Sequence, residues 1–275
     1  MNRRSFLKNM CAAASVALFG LPQYAYSGEH VPQVNEDDLK DYLHIMANFD
    51  KPQPSDIVLS AERKILLDSA LKRLKRVQRT VGFGNFCVLS FDGALAVARN
   101  YSAVGKFTRA ETDFLDEIFH IDAATYGFYG DKPVKILTAK ASSNELVKIP
   151  RTGNYLFRGK PQEKYLQIKK QLGDSVYLTS GVRGIMKQFI LFLSKAAANE
   201  GNMSLASRSL APPGYSYHAV SDFDVGEKGL GAANFSSMFA CSATCARLQE
   251  LGYLKLRYPE NNLLGVRFEP WHIKV

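Results

Sequence analysis

Between residues 60 and 79, apolar side chains recur at Ile65, Leu66, Leu67, Ala70, Leu71, Leu74 and Val77, with charged residues filling the gaps. That spacing follows the 3.6-residue period of a helix with one buried face. Ser60 and Glu62 supply its start signal. A second helix is predicted from Thr108 to Phe119, where Thr108 and Glu111 form a capping-box pattern. A third runs from Gly184 to Asn199 and is stopped by Gly201. Its centre, Phe189 to Leu193, is apolar on nearly every side, so it is expected deep in the core. Phe239 to Leu251 reads as a further helix. Val176 to Thr179, Leu254 to Tyr258 and Gly265 to Phe268 read as strands, the last two joined by the turn residues Pro259, Glu260, Asn261 and Asn262. Phe86 to Leu95 reads as a strand, a turn and a following segment.

These elements divide the chain into three stretches. Residues 1–27 have the form of a removable leader, with Arg3, Arg4 and Lys8, an apolar run from Met10 to Leu21, and the small-x-small pattern Ala25-Tyr26-Ser27. The apolar run is shorter than the about 20 residues a membrane span needs, so no stable span is expected after cleavage. The arginine pair before Ser5-Phe6-Leu7-Lys8 resembles the twin-arginine export signal, which implies handling by the twin-arginine machinery and a periplasmic or otherwise exported protein. Residues 28–140 form a mostly helical region of unknown role, whose first part, 28–55, reads as an arm or loose helix. From 141 to 275, strands, turns and one strong helix alternate, so the expected fold class is α+β.

Bulk properties narrow the picture. A hydrophobic content of 46% permits a sizeable core without disulfide staples. The net charge is +9, and removing the three leader cations leaves +6. No Lys/Arg block interleaved with aromatics lies along one face, so nucleic acid is not expected as a partner. The basic run from Lys72 to Arg79 reads as the solvated side of its helix. Without Cys11, which belongs to the leader, three cysteines remain: Cys87, Cys241 and Cys245. An odd number does not complete a disulfide framework. Cys241 and Cys245, four apart on the expected helix, would share a face.

Candidate chemistry lies near the C-terminus. Of five histidines, His218 and His272 stand in unusual company. His218 precedes Asp222 and Asp224, and His272 follows Glu269-Pro270-Trp271. A catalytic zinc takes three protein ligands, commonly His and carboxylate, and leaves a fourth position for water, beside which a carboxylate acts as base and acid. His218, one aspartate and His272 supply such ligands, and Glu269 such a base. Asp222 and Asp224 differ by two positions, so strand parity does not choose between them. Glu269 and His272 would face opposite ways in a regular strand, and a break at Pro270 would turn both toward one cavity, with Trp271 behind.

Ser216-x-His218, an Asp followed by Val225-Gly226, and Glu269-x-Trp271-His272 resemble the signature of the VanY-type D-alanyl-D-alanine carboxypeptidases, a zinc peptidase family of the LAS type that includes cell-wall endolysins and is related in fold to the Hedgehog signalling domain. Ser180-Gly181-Val182-Arg183-x4-Gln188 and Tyr258-Pro259 also fit, so the resemblance covers about residues 170–275 in four ordered segments. It implies a small antiparallel sheet with flanking helices around a single zinc site. It further implies His218, Asp224 and His272 as ligands and Glu269 as the catalytic acid–base. Arg183 would stabilise an oxyanion or a substrate carboxylate, and Ser216 and Gln188 would position the peptide. Asp224 is chosen because Asp-Val-Gly is retained, although the His-to-Asp spacing is one position shorter than the family pattern. The implied activity is hydrolysis of a peptidoglycan stem peptide, releasing terminal D-alanine. The rivals are a peptidoglycan endopeptidase and a non-catalytic zinc-containing wall-binding module. Glu269 argues against the module, because a structural zinc needs no base.

Overall fold

A computed structural model describes residues 36–275; the leader reading, with Cys11 and the arginine pair, lies outside those residues. Along the chain, helix α1 (Glu36–Ala47) leads to α2 (Ala61–Val81), the short α3 (Phe83–Phe86), α4 (Phe91–Asn100) and α5 (Arg109–His120). A hairpin of β1 (Leu146–Lys148) and β2 (Tyr155–Phe157) follows, then α6 (Lys160–Leu172), β3 (Val176–Ser180), α7 (Ile185–Ala198) and α8 (Met203–Ser207). The chain ends with β4 (Phe223–Glu227), α9 (Ala243–Glu250) and β5 (His272–Ile273). None of the described helices is long and apolar enough to cross a membrane.

The three strongest periodic segments form as their patterns predict. Ser60 Oγ accepts from the Arg63 amide to cap α2, whose buried stripe is Leu67, Ala70, Leu71, Leu74 and Val77. Both halves of the Thr108–Glu111 capping box are made. Glu111 also pairs with Arg73 at 2.7 Å and accepts from Ser69 at 2.6 Å, which locks α5 to α2. Helix α7 buries Ile185, Met186, Phe189, Ile190, Phe192, Leu193 and Ala196 against α2, α4 and α5 in one apolar core. Because α7 lies in the C-terminal half and its partners in the N-terminal half, that core runs across the boundary near residue 140.

A second core lies behind a three-stranded antiparallel sheet of order β3-β4-β5. Val176, Leu178, Phe223, Val225 and Ile273 point into it and meet α6 and α9 through Tyr165, Ile168, Cys245 and Leu248. Strand alternation then sends Asp224 to the opposite face, where its register partner is His272. A β-bulge between Leu178 and Ser180 shifts the β3 register so that Ser180 pairs with Asp224.

Several sequence expectations differ from the structure. Leu254–Tyr258 and Gly265–Phe268 are not strands. The Arg267 amide donates to the Arg208 carbonyl at 2.8 Å rather than to the other segment, and the two approach only at their ends, where the Glu269 amide donates to the Tyr258 carbonyl at 3.1 Å. Phe86–Leu95 holds no strand: the chain leaves α3 at Phe86, turns, and enters α4 at Phe91, where Ser90 caps the helix by accepting from the Gly93 amide. The helix expected over Phe239–Leu251 breaks at Ser242, which caps α9. Cys241 therefore falls outside α9 and is exposed while Cys245 is buried, and both are free thiols.

The polar arm is fastened to the rest by two anchors. Arg208, buried on the C-terminal side of α8, pairs with Asp56 at 2.6 Å and donates to the Phe49 and Lys51 carbonyls. Tyr42 of α1 donates to the Asn262 carbonyl and accepts from the Gly265 amide, which holds the loop before Glu269.

Phe189 is fully buried where α7 meets the N-terminal helices. Phe189→Ala is expected to destabilise the protein by about 3–5 kcal/mol. Urea unfolding followed by circular dichroism and by tryptophan fluorescence should show one shared transition moved to lower denaturant. Two separated transitions would contradict a common core.

Candidate metal centre and catalytic cleft

The donors come from three places that the backbone draws together. His218 sits in a 3₁₀ turn, Tyr217–Ala219, against the exit of β3. There the Gly181 carbonyl faces His218 Nδ1 at 2.8 Å, and the Arg183 amide donates to the His218 carbonyl at 3.1 Å. Gly181 is required at this crossing, since an added Cβ would lie 1.9 Å from the Tyr155 carbonyl oxygen. Asp224 and His272 are cross-strand neighbours. A turn closed by the His272 amide on the Glu269 carbonyl, 3.2 Å, contains Pro270 and Trp271 and brings the Glu269 and His272 side chains together.

Asp224 Oδ1 lies 3.1 Å from His218 Nε2 and 3.2 Å from His272 Nδ1. One ligand atom from each of the three residues lies within 4.8 Å of the others, and all three are buried. Two donors held by a tetrahedral ion at the usual zinc distances are about 3.3 Å apart. The outer ring nitrogens are already engaged, His218 Nδ1 by Gly181 and His272 Nε2 by Asp222 Oδ2 at 2.9 Å. That leaves His218 Nε2 and His272 Nδ1 as the lone pairs facing inward, the arrangement in which a second partner fixes each imidazole. Two imidazoles and one carboxylate make a three-donor set of the kind that holds a catalytic zinc.

The structure separates the two aspartates that strand parity left equivalent. Asp222 precedes β4 and reaches the far nitrogen of His272. It also accepts from Arg257 and from the Val275 amide at 3.1 Å. Asp224 pairs with Arg183, whose Nε donates to Ser180 Oγ at 2.7 Å. Each of the two aspartates thus has an arginine of its own. Sequence reasoning missed Arg257, which lies 35 positions from its partner Asp222 and whose guanidinium stacks 3.4 Å from the centre of the Tyr217 ring.

The protonation pattern reflects burial and crowding. Burial, helped by the Arg183 charge, pushes His218 down to about 4. Burial also works against charge on His272, but hydrogen bonds to Asp222 and Asp224 outweigh it and raise the group to about 9. Glu269 Oε2 is 3.7 Å from His272 Nδ1, and burial lifts its carboxyl to about 7 despite that neighbour. The metal-free cleft thus holds a proton on the His272 edge where a cation would compete for the lone pair. Trp271 is buried behind the turn, between the Arg267 guanidinium and Phe235.

The remaining sequence-predicted residues divide. Arg183 reaches the donor cluster directly through Asp224. Ser216 is buried one residue before the His218 turn. Gln188 is buried in α7, where its amide donates to the Ala211 carbonyl and its Oε1 has no hydrogen-bond partner. It therefore braces the segment leading to Ser216.

Residues 160–275 match the family model for VanY, D-alanyl-D-alanine carboxypeptidase. This stretch is similar to that family. The matched segment contains every donor, Glu269 and Arg183, so the resemblance carried by the motifs extends over the whole site. Among solved structures, the chain is similar to a vancomycin-resistance D,D-pentapeptidase VanY in complex with Zn(II), at 23% identity and a TM-score of 0.38, over 47% of this chain and 77% of that one. Another is VanYB in complex with D-alanine-D-alanine, at 23% identity and a TM-score of 0.38, over 47% and 76%. A third is the LD-carboxypeptidase LdcB, at 18% identity and a TM-score of 0.39, over 49% and 69%. No curated protein sequence matches. The matched segment begins at the start of α6, so α1 to α5 and the β1–β2 hairpin lie outside it.

The raised Glu269 pKa has a consequence for the metal-free protein. An acid whose folded pKa lies above its unfolded value binds more protons when folded. Its contribution is therefore greatest below the ordinary 4.5 and is lost as pH rises toward about 7. Glu269→Gln removes that titration. In chelator-treated protein the variant should become progressively more stable than the parent across this window, with a constant difference above it. Urea midpoints measured at stepped pH check this, and a difference that shrinks with pH would rule it out.

Proposed function

We propose that the chain is an exported zinc peptidase that removes the terminal D-alanine from peptidoglycan stem peptides. The observation that carries this reading is the meeting of His218, Asp224 and His272 with Glu269 in a buried cleft, inside the segment that matches the carboxypeptidase family. His218, Asp224 and His272 are the ligands in this reading, and Asp222 orients His272. When bound, zinc supplies Lewis acidity toward water and the scissile carbonyl. Glu269 takes a proton from the attacking water at its carboxylate and delivers it to the leaving amine nitrogen. A carboxyl raised toward neutrality by burial suits that exchange. Arg183 stands beside Asp224 and would meet the developing oxyanion or a substrate carboxylate. Ser216 and Gln188 shape the segment on which the peptide lies. Export through the twin-arginine route follows from the Arg3-Arg4 leader pattern and places the enzyme on the wall side of the membrane.

Metal analysis of the chain without its leader should find about one zinc per molecule, with chelator-sensitive release of D-alanine from a pentapeptide ending in D-Ala-D-Ala. Glu269→Gln should retain the zinc and lose turnover by about a thousandfold. Stoichiometric zinc with cleavage only of cross-linked peptide would shift the reading to an endopeptidase. Zinc without any cleavage would favour a wall-binding module, and absence of zinc would end the proposal.

The two aspartates give a second test. Asp224→Asn should abolish stable zinc binding, since it removes a charged ligand. Asp222→Asn should weaken zinc affinity by about 10–100-fold, the usual effect of losing a partner behind a ligating histidine. Competition with a zinc indicator ranks the two, and equal losses would contradict the division of roles.

A further inference from the structure

On the side of Arg183 away from the donors, a cavity of about 360 Å³ opens between α3, the hairpin loop at 152–154 and the start of α7. It shares Thr152, Asn154, Thr179 and Phe235 with a second cavity of about 430 Å³ that reaches Arg151, Lys169 and Asp174, the last two paired at 2.9 Å. The two make one groove running outward from Arg183 past the exposed ring of Phe235.

Lys187 lines the inner cavity one helical turn after Arg183. Among the described residues it makes no hydrogen bond or ion pair, and the charges that act on it are the Cys87 thiol and the Arg183 guanidinium. A cation in the first turn of α7 also opposes the helix dipole. Burial holds Lys187 below the ordinary lysine range, and the Arg183 charge acts in the same direction. Thr179 Oγ1, which borders both cavities through its residue, is buried without a hydrogen-bond partner. The outer cavity is bordered by Arg151, in the loop between β1 and β2, which holds a left-handed φ of 64°. Asn154 fixes that loop by donating to the Leu178 and Thr179 carbonyls at 3.5 and 3.4 Å. Lys187 thus stands in the inner cavity without a counter-ion, Arg183 beside it being paired with Asp224, and an anion with acceptor oxygens entering the groove would offset the Lys187 charge.

We infer that Lys187 and the β1–β2 hairpin form a carboxylate-binding subsite, in which Lys187 Nζ pairs with a carboxylate of the peptide bound in the cleft. This rests on the peptidase reading for the nature of the ligand, and it assigns the hairpin, which lies outside the matched segment, a part in choosing the substrate. Lys187 is a specificity-determining residue and takes no part in the bond cleavage.

The test uses the full mature chain, supplied with zinc and carrying Glu269→Gln to prevent turnover. Calorimetry measures its affinity for a stem pentapeptide ending in D-Ala-D-Ala, with Lys187 intact, Lys187→Gln or Lys187→Arg. Lys187→Gln is expected to weaken binding about 10–100-fold, and Lys187→Arg to stay within about threefold of the parent. Peptides amidated at the C-terminus, at the internal carboxylate, or at both identify the partner, because the penalty for Lys187→Gln disappears when its carboxylate is masked. Equal affinity for Lys187 and Lys187→Gln chains overturns the inference. So does a penalty that persists in the doubly amidated peptide, or a chain that binds none of the four peptides. Zinc content and D-alanine release by the parent chain are read separately. A chain that fails to release D-alanine but shows the Lys187-dependent penalty keeps the subsite and loses the carboxypeptidase reading.

Discussion

Buried negative charge is the constraint around which the site is organised. Asp222, Asp224 and Glu269 are brought to one imidazole, His272, in a region nearly closed to water. Carboxylates in such a place stay ionised only where cations and donors face them. Arg257 answers Asp222 and Arg183 answers Asp224, while Glu269 has no arginine of its own within bonding distance and rises toward neutrality. Two carboxylates are thus fixed as anions and the third is left able to exchange a proton. The difference in chemical role follows from which guanidinium can reach which oxygen.

The geometry that achieves this is mostly backbone geometry. Antiparallel pairing of β4 with β5 makes Asp224 and His272 neighbours without any special loop. The tight passage at Gly181 lets the hairpin strand β2 and the His218 turn both touch the end of β3. The Pro270-containing turn does for Glu269 what a strand would have prevented.

The amphipathic and apolar helices α2, α5 and α7 were legible in the sequence because periodicity and caps there agree with tertiary packing. The residues that the fold brings together, His218, Asp224, Glu269 and His272, lie in short local motifs, although strand parity left Asp222 and Asp224 equivalent. What stayed illegible was long-range. Nothing near Asp222 indicates that Arg257 will take its oxygens, and nothing near Lys187 indicates that residues 151–154 will face it. The segments at 254–258 and 265–268 have strand-like composition, but the Arg267 amide goes to the distant Arg208 carbonyl. The start of α4 was missed because Ser90 acts as a cap inside a run that looks extended.

The shared core of α7 with α2, α4 and α5 bears on whether the matched stretch stands alone. The stretch that matches the family begins at residue 160, yet Phe189, Phe192 and Leu193 within it are covered by side chains from before residue 120. A gene fragment encoding the matched stretch alone would present that aromatic surface to water. The recognisable motif set is therefore not a self-sufficient folding unit in this chain: the helices ahead of it supply the wall against which its central helix is buried.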